Sequence, residues 1–143
     1  LERRALAVCN RLPDPSERAI SHDNLGNHLQ DADREEEAGR HHAAALAYAV
    51  CIGKRDLTGF RNLRRRARRA VAAGEHYTLP RLDDILAREE FAALRRFLDD
   101  HDIDRTDLQA KLEGLVERAH EEARRVAESP SGDVRPESSG QPE

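Results

Sequence analysis

Tryptophan and methionine are absent from this chain, and aromatic residues make up only 3% of its 143 positions. A core without large rings must be assembled from Leu, Ile, Val and Ala. Strand-favouring residues are also scarce, and no convincing strand pattern occurs. The expected fold class is therefore all-α, with abundant alanine and arginine as helix formers. No apolar run approaches the ~18 residues of a membrane span, and no signal peptide is visible. Cysteine is nearly absent too. Cys9 and Cys51 stand 42 positions apart and form no CxxC pair. They read as small, half-buried thiols of a reducing cytoplasmic compartment, with a disulfide or a metal role as the open alternatives. The chain begins at Leu1 and reads as a piece of a longer protein.

The usual marks of catalysis are missing. There is no Gly-rich phosphate loop, no GxSxG and no HExxH. Neither cysteine has the context of a Cys–His dyad, and Cys51 sits among apolar residues. The expectation is a protein that is not an enzyme and carries no cofactor and no metal. Four histidines, His22, His28, His41 and His42, fall close together. However, 22 and 28 lie on different faces of a helix, and 41 and 42 diverge. Solvated or packed roles are expected for them, with metal binding as the minor alternative.

What the chain does contain is charge, unevenly spread around a net −4. Residues 54 to 70 carry eight Lys or Arg against one Asp, and residues 83 to 104 carry eight Asp or Glu against three Arg. The balance as a whole does not suggest nucleic-acid or membrane affinity.

Apolar periodicity and helix breakers divide the chain. A first helix precedes Pro13. A second starts at Pro15 or Ser16, with serine as its cap, and runs to about Gln30. The third spans about Arg34 to Ile52 and ends at Gly53. The fourth spans about Asp56 to Ala73 and ends at Gly74, with Leu57, Phe60, Leu63, Ala67, Ala70 and Val71 inward. Residues 81 to 88 and the "EEFAALRRFLDD" segment form two shorter helices. A last helix runs from about Arg105 to Glu128. After Ser129 the sequence is rich in Ser, Pro, Gly and Glu, which predicts disorder.

One glycine stands in the middle of a helix. Gly26, in "SHDNLGNHLQDA", costs up to ~1 kcal/mol relative to alanine. Leu25 and Gly26, Leu29 three positions after the glycine, Ala38 twelve after it, and Ala45 seven later form a register across two helices. In this register residues 19 to 52 resemble one tetratricopeptide repeat, a helical hairpin of about 34 residues. His42 falls where that family usually has an aromatic residue, and Val50 replaces its closing proline. The resemblance implies that the glycine permits close packing against Ala38, since a side chain there would push the helices apart. It also implies that "ERRALAV", with Ala5, ends a preceding repeat, and that residues 57 to 74 begin another or cap the array. Residues 81 to 128 align with no repeat.

The same resemblance implies a groove lined by first helices, in which Asp23, Asn27, Gln30 and Asp31 form an exposed polar row. Asn27 falls where peptide-binding members use an asparagine. Asp23 replaces a lysine of the carboxylate-binding members, so recognition of a C-terminal carboxylate is not expected. In "RNLRRRARR", the arginines 61, 64, 65, 66, 68 and 69 are assigned to the face opposite Leu63, Ala67 and Ala70. Arg61, Arg64, Arg65, Arg68 and Arg69 are the candidate basic contacts. They read as a solvated or internally paired face, with Asp83, Asp84, Glu89 and Glu90 as possible partners for Arg65, Arg68 and Arg69. A protein-binding or nucleic-acid surface is the alternative.

Three regions are thus expected: tetratricopeptide-like helices over 1–74, a helical cap over 75–128 and a tail over 129–143. The expected function is a non-catalytic protein–protein interaction scaffold, part of a larger bacterial protein. The partner is a protein or peptide, which includes another domain of the same protein. Two other readings stay open, a regulatory arm of a multidomain effector such as a protease and a nucleic-acid-associated module using residues 61 to 69.

Overall fold

The computed structural model describes residues 14–53 and 57–128. The expected first helix, with Ala5 and Cys9, and the expected disordered tail lie outside the described residues. Within them the fold is all-helical, with no strand. The elements are α1 (Pro15–Asp31), α2 (Glu35–Cys51), α3 (Phe60–Ala72), α4 (Leu82–Leu86), a 3-10 turn (Glu89–Phe91), α5 (Ala92–Asp100) and α6 (Arg105–Glu128). None is long and apolar enough to cross a membrane.

Local chemistry places the ends. The cap of α1 is Asp14 rather than Ser16. Its carboxylate accepts a hydrogen bond from the Ser16 N–H at 2.9 Å, and Pro15 occupies the first turn. Glu35, Glu36 and Glu37 put negative charge at the N-terminus of α2. Asp104 opens α6, accepting from the N–H groups of Thr106 and Asp107 at 2.8 and 3.2 Å. The start of the fourth expected helix moves. α3 begins at Phe60, because Gly59 before it takes φ +94°. A Cβ at Gly59 would lie 3.1 Å from the His42 carbonyl oxygen and 3.2 Å from Leu46 Cγ. The glycine therefore lets the chain turn left-handed while pressed onto α2.

α1 and α2 form an antiparallel hairpin, the most extensive helix pair of the fold. Every residue of α2 from Ala38 to Ala49 is buried except the half-buried Arg40. Its alanines keep it narrow, so α1, α3 and α6 can all approach it. The C-terminal helices are not a separate layer. α6 lies along α3 and touches α2, and its Leu108, Leu112, Val116 and Ala119 share one core with Leu46, Phe60, Leu63, Ile85, Phe91 and Leu98. Leu25, Leu29 and Ala38 form a second, small apolar cluster inside the hairpin.

Candidate functional site

The mid-helix glycine meets a ring. A Cβ built on Gly26 would fall within 2.5 Å of His42 Nε2 and 3.1 Å from the Ala38 carbonyl oxygen. Gly26 is therefore small chiefly because of His42, with Ala38 contributing its backbone. The imidazole packs against Gly26 and is 1% exposed.

A buried imidazole has two nitrogens to satisfy, and α3 supplies one partner. Arg66 Nη1 donates to His42 Nδ1 at 2.8 Å. Arginine cannot accept, so Nδ1 carries the lone pair and the proton sits on Nε2. Nε2 then donates to Asn27 Oδ1 at 3.0 Å. Burial first, and the Arg66 charge second, push the His42 pKa down to about 3. Arg66 also donates from Nε to Glu35 Oε2 at 2.7 Å. A parallel link runs from Asn62 Nδ2 to Asp23 Oδ1 at 2.9 Å. Burial raises the Asp23 pKa, against the Asn62 hydrogen bond and the charges of Arg61, Arg65 and Arg66. These bonds tie α1, α2 and α3 together through side chains.

Arg66 departs from its expected position. It is 5% exposed, as is fitting for a residue only ~60° around the helix from Leu63. Asn62, one turn before it, is buried as well. His22 and His41 form a second buried pair, with Nδ1 atoms 2.9 Å apart. The two rings stack on each other, His22 also stacks on Tyr48 and Phe91, and His41 meets Phe91 at a tilt. Burial, the largest cause for each, pushes His22 down to about 3 and His41 down to about 4. His28 is exposed. Among the described residues no group of three or more His, Cys, Asp or Glu is arranged to hold a metal ion. Burial pushes the Cys51 thiol up to about 11, so it stays protonated near neutrality.

The polar row separates. Asp23 is half-buried, whereas Asn27 and Asp31 are exposed, Asn27 with its side-chain oxygen accepting from His42. Gln30 is half-buried, with Oε1 unpartnered among the described residues. Of the basic candidates, Arg64 is bound to Glu122 at 3.0 Å and lies over the Phe60 ring. Arg61, Arg65, Arg68 and Arg69 are exposed. None of the four has an ion pair among the described residues, and the expected pairs with Asp83, Asp84, Glu89 and Glu90 do not form. The reason is topological: α3 lies against α2 and α6, and its acidic neighbours come from there. The fold brings the two candidate surfaces together at one seam, since Asp23 feels the charges of Arg61 and Arg65.

Asn62, Glu35 and Tyr77 were not singled out by sequence, and Arg66 was read only as part of the outer arginine face. The available signal was the i, i+4 pair 62 and 66 running beside the apolar stripe of Leu63 and Ala67. Comparison with protein families, curated proteins and solved structures finds no match.

Proposed function

We propose that this chain is a non-catalytic protein–protein interaction module built on a tetratricopeptide-type hairpin, and that it engages an acidic protein surface through the exposed arginines of α3. The observation that carries this reading is the contrast within one helix. Arg66 and Arg64 are held by Glu35 and Glu122, while Arg61, Arg65, Arg68 and Arg69 stand exposed without an ion pair among the described residues. A helix fixed on its inner side by a polar network presents its outer charges at set positions, which lowers the ordering cost of binding. The buried, neutral histidines and the protonated Cys51 support binding without a chemical step. The same surface would suit a regulatory arm joined to an effector domain such as a protease, which the complete reading frame tests.

The test uses the intact chain as bait, followed by titration of the purified partner against wild type and Arg65→Glu/Arg68→Glu. The expected result is binding weakened at least about tenfold, since two contacts turn repulsive. Duplex DNA and RNA should not bind. Equal affinity of the variant, or binding of nucleic acid alone with a steep salt dependence, would overturn the reading.

A further inference from the structure

Beside the polar network lies a cavity of ≈ 430 Å³ between the first turn of α2, the C-terminal half of α3 and the segment after it. Glu35, Arg66, Arg69, His76, Tyr77 and Thr78 are among its lining residues. Its size falls in the range of small-molecule sites. One of its lining groups is incompletely used. Arg66 is 95% buried, and its Nη2 has no hydrogen-bond partner among the described residues. A buried guanidinium nitrogen without an acceptor is costly, and the large majority of buried side-chain polar atoms are hydrogen-bonded.

The guanidinium geometry says what is missing. Nε and Nη2 form one edge of the fork, matched to the two oxygens of a carboxylate. Glu35 reaches this edge with one oxygen, on Nε alone. Its own side chain is 51% exposed, so it can swing outward, whereas Arg66 is 4% exposed and pinned to His42. Tyr77 lies under the guanidinium at 5.8 Å, and the His76 ring stacks on His120 at 4.0 Å. These rings offer an apolar wall for the body of a ligand.

We infer that this cavity binds a small carboxylate-bearing molecule, whose carboxylate takes the Nε and Nη2 edge of Arg66 when Glu35 swings away, with Arg69 as the second cation. Glu35 acts as the internal competitor that occupies the site in the free protein. A carboxylate is favoured over phosphate because Glu35 and Glu75 also line the cavity, and they repel a dianion more than a monoanion. This site is separate from the outer arginine surface on α3, and it stands whether or not that surface binds protein.

The test is an NMR titration of the intact protein with propionate, with inorganic phosphate and sodium chloride as parallel arms, following the Arg66 Nε–H and the Tyr77 and His76 signals. Propionate should give saturable shifts at these groups, and phosphate weaker ones. Glu35→Gln should tighten propionate binding about fivefold or more, because the competing charge is gone, and exposed Arg69→Ala should weaken it by a similar factor. Arg69 is exposed, and Glu35→Gln keeps a side-chain oxygen that can accept from Arg66 Nε, so the fold survives both substitutions. Absence of saturable shifts in both wild type and Glu35→Gln would overturn the inference. So would tighter binding of phosphate than propionate, shifts that sodium chloride reproduces, or a Glu35→Gln variant that binds no better than wild type.

Discussion

His42 is the residue on which most of the others depend. It displaces any side chain from position 26, accepts from Arg66 and donates to Asn27. Gly26→Leu should therefore cost more than the ~1–3 kcal/mol of ordinary overpacking, because the ring it strikes is pinned on both nitrogens. Gly26→Ala should cost less, since better helix propensity offsets the clash by up to ~1 kcal/mol. Thermal melting of the two variants measures both. A second residue-scale expectation concerns Arg66. Replacing it with Leu leaves the His42 Nδ1 without a donor and removes the ion pair to Glu35. The buried, unsatisfied Nδ1 costs about 1–3 kcal/mol, and the half-exposed Glu35 adds little, a loss readable by urea denaturation. None of this depends on the outer arginines. Arg65→Glu should leave stability within ~0.5 kcal/mol of wild type, since that side chain is exposed.

At the scale of elements, the position of α3 is set by Gly59 at its start and by Asn62 and Arg66 along its length. Gly59→Ala puts a side chain at φ +94° and 3.1 Å from a carbonyl oxygen. The left-handed strain alone costs roughly 1–2 kcal/mol. Amide exchange should then speed up in α3 more than in the α1–α2 hairpin, because the strain acts where α3 joins the hairpin. Much of this level was legible in the sequence. Pro15, Gly53, Gly74 and the apolar stripes placed five helices to within a few residues, since breakers and periodicity act locally. The start of α3 was misplaced because its cause is the approach of Gly59 to α2, a contact between segments distant in sequence. The inward turn of Arg66 was hidden for a related reason. An arginine at the edge of an apolar stripe is usually solvated, and only the acceptors on His42 and Glu35 make its burial tolerable.

For the whole molecule, acid stability follows from three histidines held neutral. Their folded pKa values, about 3, 4 and 3, lie below the ordinary 6.5. Between those values and 6.5 the unfolded chain binds more protons than the folded one, so stability falls as the pH falls. It is fully present above ~6.5. Each histidine contributes a slope of up to ~1.4 kcal/mol per pH unit, and the three together up to ~4. The raised Asp23 pKa acts in the opposite sense, near and above its ordinary value. Denaturation midpoints at pH 7, 6 and 5 should drop progressively, and a flat profile would mean the histidines are not buried neutral. Because α6 shares one core with α2 and α3, Leu112→Ala should cost about 2–5 kcal/mol and lower a single cooperative transition.

The sequence by itself determined that the chain is helical and where most helices begin and end. Those properties rest on local propensity, capping and periodicity, which each short segment carries within it. It also placed five exposed arginines, Arg61, Arg64, Arg65, Arg68 and Arg69, on α3. Only the tertiary structure decided which arginine turned inward, that His42 rather than Ala38 presses hardest on Gly26, and that Asp23 and Asn27 face a neighbouring helix. Those outcomes depend on which side chains meet across turns and distant helices. Helical periodicity gives the direction of a side chain, and the partner that satisfies or charges it comes from another part of the fold.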